Sequence, residues 1–191
     1  MMGRDNKTSG QGGSGAAAAA PALDAKGLQL RLAPANTPEL CRDELAKIFR
    51  VRRTEVALMR LENGLLKFLF PPELSTAGSI PISSSTAVAA HTAVTRKVEL
   101  FNNFTKVKHA SIFESIKPGG EQGGEVPPAT IHKLMSAPVL DKGNKVLGVI
   151  QICHKGFDLA SAGPDFTLDD LHQLELAAKV LAQSEFMQAG G

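Results

Sequence analysis

The sequence predicts an α/β fold of the α+β kind, a central antiparallel sheet with helices on its faces. Three observations carry that expectation. Apolar residues recur at helical spacing in some segments and run almost continuously in others. Two pairs of strand-like runs are joined by short turns, Glu62-Asn63-Gly64-Leu65 and Asp141-Lys142-Gly143-Asn144. Met135 to Leu181 then reads as strand, tight turn, long buried strand, polar loop and amphipathic helix, a closing unit with no visible catalytic group.

Taken in order, residues 1–35 are rich in Gly, Ser, Ala, Asn, Lys and Pro, which predicts a disordered or linker tail. Thr37 offers a helix N-cap with Pro38 at the first helical position. Leu40, Cys41, Leu45, Ile48 and Phe49 follow at helical spacing, giving an amphipathic helix that ends near Val51. Thr54 to Leu61 is the first strand, and Leu65 to Phe70 returns until Pro71-Pro72 halts it. Ile80-Pro81-Ile82 leads to a serine run, where Ser84 or Ser85 caps a helix through about Arg96. Val98 to Phe101 is a short strand, Asn102-Asn103 a turn, and His109 to Ile116 a short helix. Lys117 to Thr130, with its Gly-Gly and Pro-Pro pairs, is a flexible loop of lid length. The apolar runs of the second hairpin predict a central strand covered on both faces. The last helix carries Leu171, Leu174, Ala178 and Leu181 on one stripe and Leu176 and Val180 on another, so it touches both a sheet and a second helix. The domain therefore spans 36–186, and 187–191 form a flexible C-terminus.

Composition narrows the function classes. A chain of 191 residues with 43% hydrophobic content suits one domain plus tails. A net charge of +2 gives no strong field toward nucleic acid or anionic membrane. Arg50, Arg52 and Arg53 with Lys47 read as a solvated helix end, without interleaved stacking residues. No apolar run approaches the roughly 20 residues of a membrane helix, and Ala16 to Ala20 is too weakly apolar for a signal peptide. Two cysteines, Cys41 and Cys153, make no disulfide framework and fit a reducing cytoplasm. The five histidines show no metal-ligand spacing, so no metal site is assigned. Gly119 to Gly124 follows no parallel strand and lacks the Gly-Lys-Ser/Thr of a phosphate loop. Ser83 to Thr86 lacks a nucleophile elbow.

Ala137-Pro138-Val139-Leu140, the turn, Val146 to Ile152 and then Phe166-Thr167-Leu168-Asp169-Asp170 resemble the closing signature of the GAF domain family. The hairpin Val56 to Phe70 and the stretch Ile82 to Phe101 fall in matching order, so the resemblance runs over about Pro38 to Gln183. It implies a GAF-like central antiparallel sheet with the N- and C-terminal helices on one face. Middle helices and loops cover a pocket on the other face. Members bind cyclic nucleotides, haem, tetrapyrroles or small metabolites, or serve as dimerising spacers. The cyclic-nucleotide signature is degenerate here: His154-Lys155 replaces Asn-Lys and Leu171 replaces the final acid, while Phe166 and Asp170 keep the spacing. Lys155 and Asp170 would remain as an ion pair. Neither Cys41 nor Cys153 lies in the middle helical region where such members attach a tetrapyrrole, whereas His109, a residue type that ligates haem, does; no cofactor is assigned.

Phe101, Asn102, Asn103, Phe104 and Phe113 are the candidate ligand-binding residues, because apolar walls with a few amides suit a small-molecule site. The same side chains could instead fill the space. No catalytic residue is assigned. The reading is a cytoplasmic sensory or regulatory protein. A small molecule would shift the packing of the terminal helices, and so a homodimer, and the signal would pass to a separate output protein. The alternative is a ligand-free assembly module, dimerising through Leu40/Leu45/Ile48 and Leu171/Leu174/Ala178/Leu181. A thiol-dependent reductase using Cys153 or Cys41 is the third reading, against which stands the simpler role of a buried core thiol.

Overall fold

Two eleven-residue strands, β5 (Thr130–Leu140) and β6 (Val146–Gly156), form the longest hairpin of the computed structural model, which describes residues 22–75, 78–106 and 130–189. The first hairpin pairs β1 (Val56–Glu62) with β2 (Leu65–Phe70), and two short strands, β3 (Ser79–Pro81) and β4 (Glu99–Phe101), close the edges. The sheet order is β3-β2-β1-β6-β5-β4, antiparallel throughout. Asn63 and Gly64 have φ of 50° and 76°, the left-handed pair that a two-residue hairpin turn requires. In the second turn the Asp141 carboxylate accepts from the backbone N–H of Gly143 and Lys145, each at 2.8 Å. β6 is buried at every position, which explains its unbroken apolar run. Gly148 lets β1 approach: a Cβ there would fall on the Met59 carbonyl oxygen and 2.6 Å from Met187 Cε.

One face of the sheet carries α2 (Pro38–Phe49) and α5 (Leu168–Leu181). Thr37 Oγ1 accepts from Leu40 N at the start of α2, and Thr167 and Asp170 form a reciprocal capping box at the start of α5. A third helix packs here against expectation. α1 (Ala25–Leu32) lies inside the segment expected to be a disordered tail. Leu28 and Leu32, one helical turn apart, are fully buried in the common core. Asp24 caps α1 by accepting from Gly27 N at 2.7 Å, and Arg31 holds Glu44 of α2 through Nε and Nη2 at 3.1 and 2.9 Å. Two leucines make a weak periodic signal beside a low-complexity stretch, yet they suffice once α5 is there to bury them. The second helix that α5 touches is thus α1, while its other stripe rests on β5.

Other boundaries also move. Met187, expected in a flexible C-terminus, is buried in α6 (Glu185–Gln188). Leu40 is half exposed, whereas Leu45, Leu174, Ala178 and Leu181, expected in a dimer seam, are buried in this chain's own core. After α3 (Pro72–Ser75) and β3, the opposite face is covered by α4 (Val88–Thr95). The serines do not cap it: α4 starts at Ala87 without a side-chain cap, and Ser84 Oγ lies 3.3 Å from Thr86 Oγ1 instead. Thr130 opens β5 rather than ending a loop. The expected helix His109 to Ile116, the loop to residue 129 and Phe113 lie outside the described residues. Among the described residues no helix is long and apolar enough to cross a membrane.

Candidate functional site

On the α4 side of the sheet the apolar core is crossed by a row of polar side chains. Gln151 on β6, Ser136 on β5 and Thr92 on α4 are all buried. Gln151 Nε2 donates to Ser136 Oγ at 3.2 Å, and Ser136 Oγ lies 2.8 Å from Thr92 Oγ1. Thr92 Oγ1 donates to Glu99 Oε2 at 2.6 Å, and His91 Nδ1 donates to Glu99 Oε1 at 2.8 Å. The carboxylate fixes the direction of the row. It only accepts, so the single Thr92 hydroxyl hydrogen goes to Glu99 and Thr92 Oγ1 accepts from Ser136. A continuous hydrogen-bonded row therefore runs from the central strand through α4 to an exposed histidine. It is not a hydrolase triad, because His91 touches Glu99 rather than Ser136, whose proton is already given to Thr92. The row can register the position of α4 and exchange hydrogen bonds with a ligand. Ser136 and Gln151 stand out in the sequence as polar residues inside apolar strands, a readable signal that sequence reasoning passed over.

The residues chosen from sequence fall into three roles. Phe104 is buried in the core beneath α4, and Phe101 packs edge-to-face on it at 6.0 Å. Asn102 is a clamp: its Nδ2 donates to Phe166 O and its Oδ1 accepts from Phe166 N, both at 2.9 Å. It thereby ties the end of β4 to the loop entering α5. Asn103 Oδ1 accepts from Thr105 Oγ1 at 2.9 Å. The structure brings Phe101 and Phe104 together and directs Asn102 elsewhere.

The loop into α5 is held from the sheet as well. Lys133, buried on β5, donates to Gly163 O and pairs with Asp165 Oδ1 at 2.9 Å. His154 stacks on Phe166 with ring centroids 4.3 Å apart, and burial holds its pKa below the ordinary histidine value. Glu55 Oε1 accepts from Lys155 N and Arg52 Nη2, each at 2.7 Å. Arg52 also donates to Lys155 O at 2.8 Å, so the end of β6 is stapled on both backbone groups. Burial pushes the Glu55 pKa up, but the bonds from Arg52 and the backbone outweigh it and hold the carboxyl below its usual value. Asp170 spends one carboxylate oxygen on Thr167 N and Oγ1, each at 2.7 Å, the helix cap. Arg53 pairs with Asp43, so the arginine cluster after α2 is engaged with acids of its own chain.

Cys41 and Cys153 are buried in the two separate cores, with the sheet between them. Burial pushes the Cys41 thiol up to about 12. Among the described residues no group of three or more His, Cys, Asp or Glu could hold a metal ion.

The model of the GAF domain matches residues 39–184, well over half of the chain. The chain belongs to the GAF domain family. Its fold is that of solved GAF domains. The GAF domain from an Acinetobacter phosphoenolpyruvate-protein phosphotransferase is similar at TM-score 0.58 and 13% identity, covering 83% of this chain and 87% of that one. Residues 122 to 287 of a methyl-accepting chemotaxis protein are similar at TM-score 0.57 and 12% identity, covering 81% and 92%. A type II free methionine-R-sulfoxide reductase from Thermoplasma acidophilum is similar at TM-score 0.51 and 12% identity, covering 85% and 96%. At such identities the likeness is one of fold. No curated protein matches the chain in sequence. GAF domains are in general sensory and regulatory modules, and this GAF domain has their two-faced architecture: terminal helices on one side of the sheet, α4 on the other.

Proposed function

We propose that this GAF domain is a cytoplasmic sensory module. A small molecule binds on the α4 face, and a homodimer passes the signal to a separate output protein. The observation that supports this most is the buried row Gln151–Ser136–Thr92–Glu99. Polar groups in an apolar layer cost stability unless fully paired, and they offer a ligand partners to exchange. A ligand that takes a hydrogen bond from Thr92 or gives one to Glu99 favours a different seating of α4. Only such a difference in affinity shifts a population. Phe101, Asn103 and Phe104 would line the site. Asn102 would carry a displacement of β4 through Phe166 to the start of α5, and so to the terminal helices. With Leu45 and Leu174 in the core, the dimer would use apolar residues that remain exposed on the terminal helices, Leu30, Leu40 and Leu168.

The assembly reading has one observation in its favour: Phe104 is seated in the core with Phe101 against it, which fills part of the space. A reductase reading has less support, since the two thiols cannot meet across the sheet and Cys41 is not a thiolate at neutral pH. Native mass spectrometry of protein purified from its own host tests the proposal. It expects a reproducible added mass on a dimer. A bare dimer would favour assembly, and a bare monomer would contradict both.

A further inference from the structure

A cleft of ≈ 490 Å³ opens at the C-terminal end of α4, between that helix, the end of β1 and the β5–β6 turn. Leu61, Ile82, Ala93 and Val146 line it, and all four belong to or pack against the core beneath α4. Two cations, Arg96 and Lys145, open on the same cleft, and no acidic residue lines it. Elsewhere cations such as Arg31, Arg53, Arg60, Lys67 and Lys179 each hold a carboxylate. Among the described residues the side chains of Arg96 and Lys145 have no hydrogen bond or ion pair. The acids closest to the cleft in the chain are committed to other groups. Glu62 holds Arg60 and Lys67, Asp141 accepts from the turn's own backbone, and Glu99 accepts from Thr92 and His91. Lys97 and Lys142, exposed and close to them in the chain, are likewise unpaired among the described residues. The local field is therefore positive, although the whole chain carries only +2.

We propose that this cleft is a binding site for a small organic carboxylate with an apolar body. A guanidinium matches a carboxylate with two parallel hydrogen bonds, and an ammonium adds a second positive charge. The body rests on Leu61, Ile82 and Ala93. An ion pair at an exposed site contributes little by itself, so the charge alone does not hold the ligand. The apolar contact alone would hold any oily molecule equally. Binding at this cleft therefore requires both parts in one molecule. Thr92, Ser136 and Phe104 do not line the cleft, and the site stands or falls independently of the proposed sensory role.

2-Naphthoate is a suitable probe. In a titration of the full ¹⁵N-labelled chain at low salt, the backbone amide resonances of Ala93, Gly143 and Asn144 should shift and saturate, with a dissociation constant on the order of 1 mM. 2-Naphthalenemethanol keeps the body without the charge, and acetate keeps the charge without the body. Each should bind about fivefold more weakly or worse. Arg96→Gln combined with Lys145→Gln should weaken 2-naphthoate by a similar factor and leave 2-naphthalenemethanol unchanged. Both side chains are exposed, and Lys145→Glu alone, which reverses one charge, should do the same and serves if the double variant does not fold. Lys26→Gln, which removes an exposed cation of α1, should bind 2-naphthoate as the parent does. A shift that never saturates overturns the proposal, as does equal affinity for the alcohol. So does a folded cleft variant that binds 2-naphthoate as tightly as the parent, or an equal loss in Lys26→Gln, which would assign the attraction to net charge.

Discussion

The two faces of the sheet are built from different materials. On the terminal-helix face Leu28, Leu45, Phe49, Leu174 and Leu181 interdigitate with Leu58, Ile150 and Ile152. Polar contacts there are caps, ion pairs and the tie from buried Lys133 to the loop entering α5. On the other face α4 contributes Val88 and three alanines, and its central buried side chain is Thr92. Burial contributes about 25 cal/mol per Å² of apolar surface, so alanines hold a helix far less firmly than leucines do. α4 is instead located by hydrogen bonds, which are directional and can be exchanged. One face is packed as a scaffold, and the other is fastened by hydrogen bonds that can be exchanged. That division is what a sensory module needs.

The sharpest way to break the comparison is to destroy the spine that both faces share. Gly148→Val places side-chain atoms on the Met59 backbone and against Met187. The expected outcome is loss of about 3 kcal/mol or more, or no folded protein, measured by urea unfolding. Next in size is Leu28→Ala, expected to cost about 2–5 kcal/mol because it empties a fully buried site between α1 and α5. A cost near zero would mean that α1 is not part of the scaffold. Thr92→Val keeps the shape and removes the hydroxyl, leaving Ser136 and Glu99 short of a partner. It should cost about 1–3 kcal/mol and should loosen α4 without loosening α5.

The smallest expected effect is electrostatic. The folded pKa of His154 is depressed by burial, so between it and the ordinary value the unfolded chain binds the extra proton. Its contribution is fully present above the unfolded pKa near 6.5 and is lost as pH falls toward the folded value. Unfolding free energy measured from pH 7.5 down to 5 should therefore fall less steeply in His154→Phe than in the parent.

Much of the scaffold was legible in the sequence because its signals are local. Asn63-Gly64 dictates a turn, Thr37-Pro38 a helix start, and the apolar run Val146 to Ile152 a strand covered on both sides. The family resemblance added which face each helix covers. α1 was illegible because two leucines mean little until α5 is placed beside them. The polar row was hidden for a related reason: Ser136 meets Thr92 across 44 residues, and no local pattern reports that pairing. Asn102 was noticed for its chemistry, but its partner Phe166 lies 64 residues away, and so its role as a clamp was not.

Amide hydrogen exchange compared between α4 and α5 tests the division between the faces most directly. The account predicts that amides of His91 to Thr95 exchange through local opening, about a hundredfold faster than those of Leu174 to Leu181, whose exchange follows global unfolding. Thr92→Val should widen that gap. Equal protection in the two helices, unchanged by the substitution, would contradict the claim that α4 is the movable element.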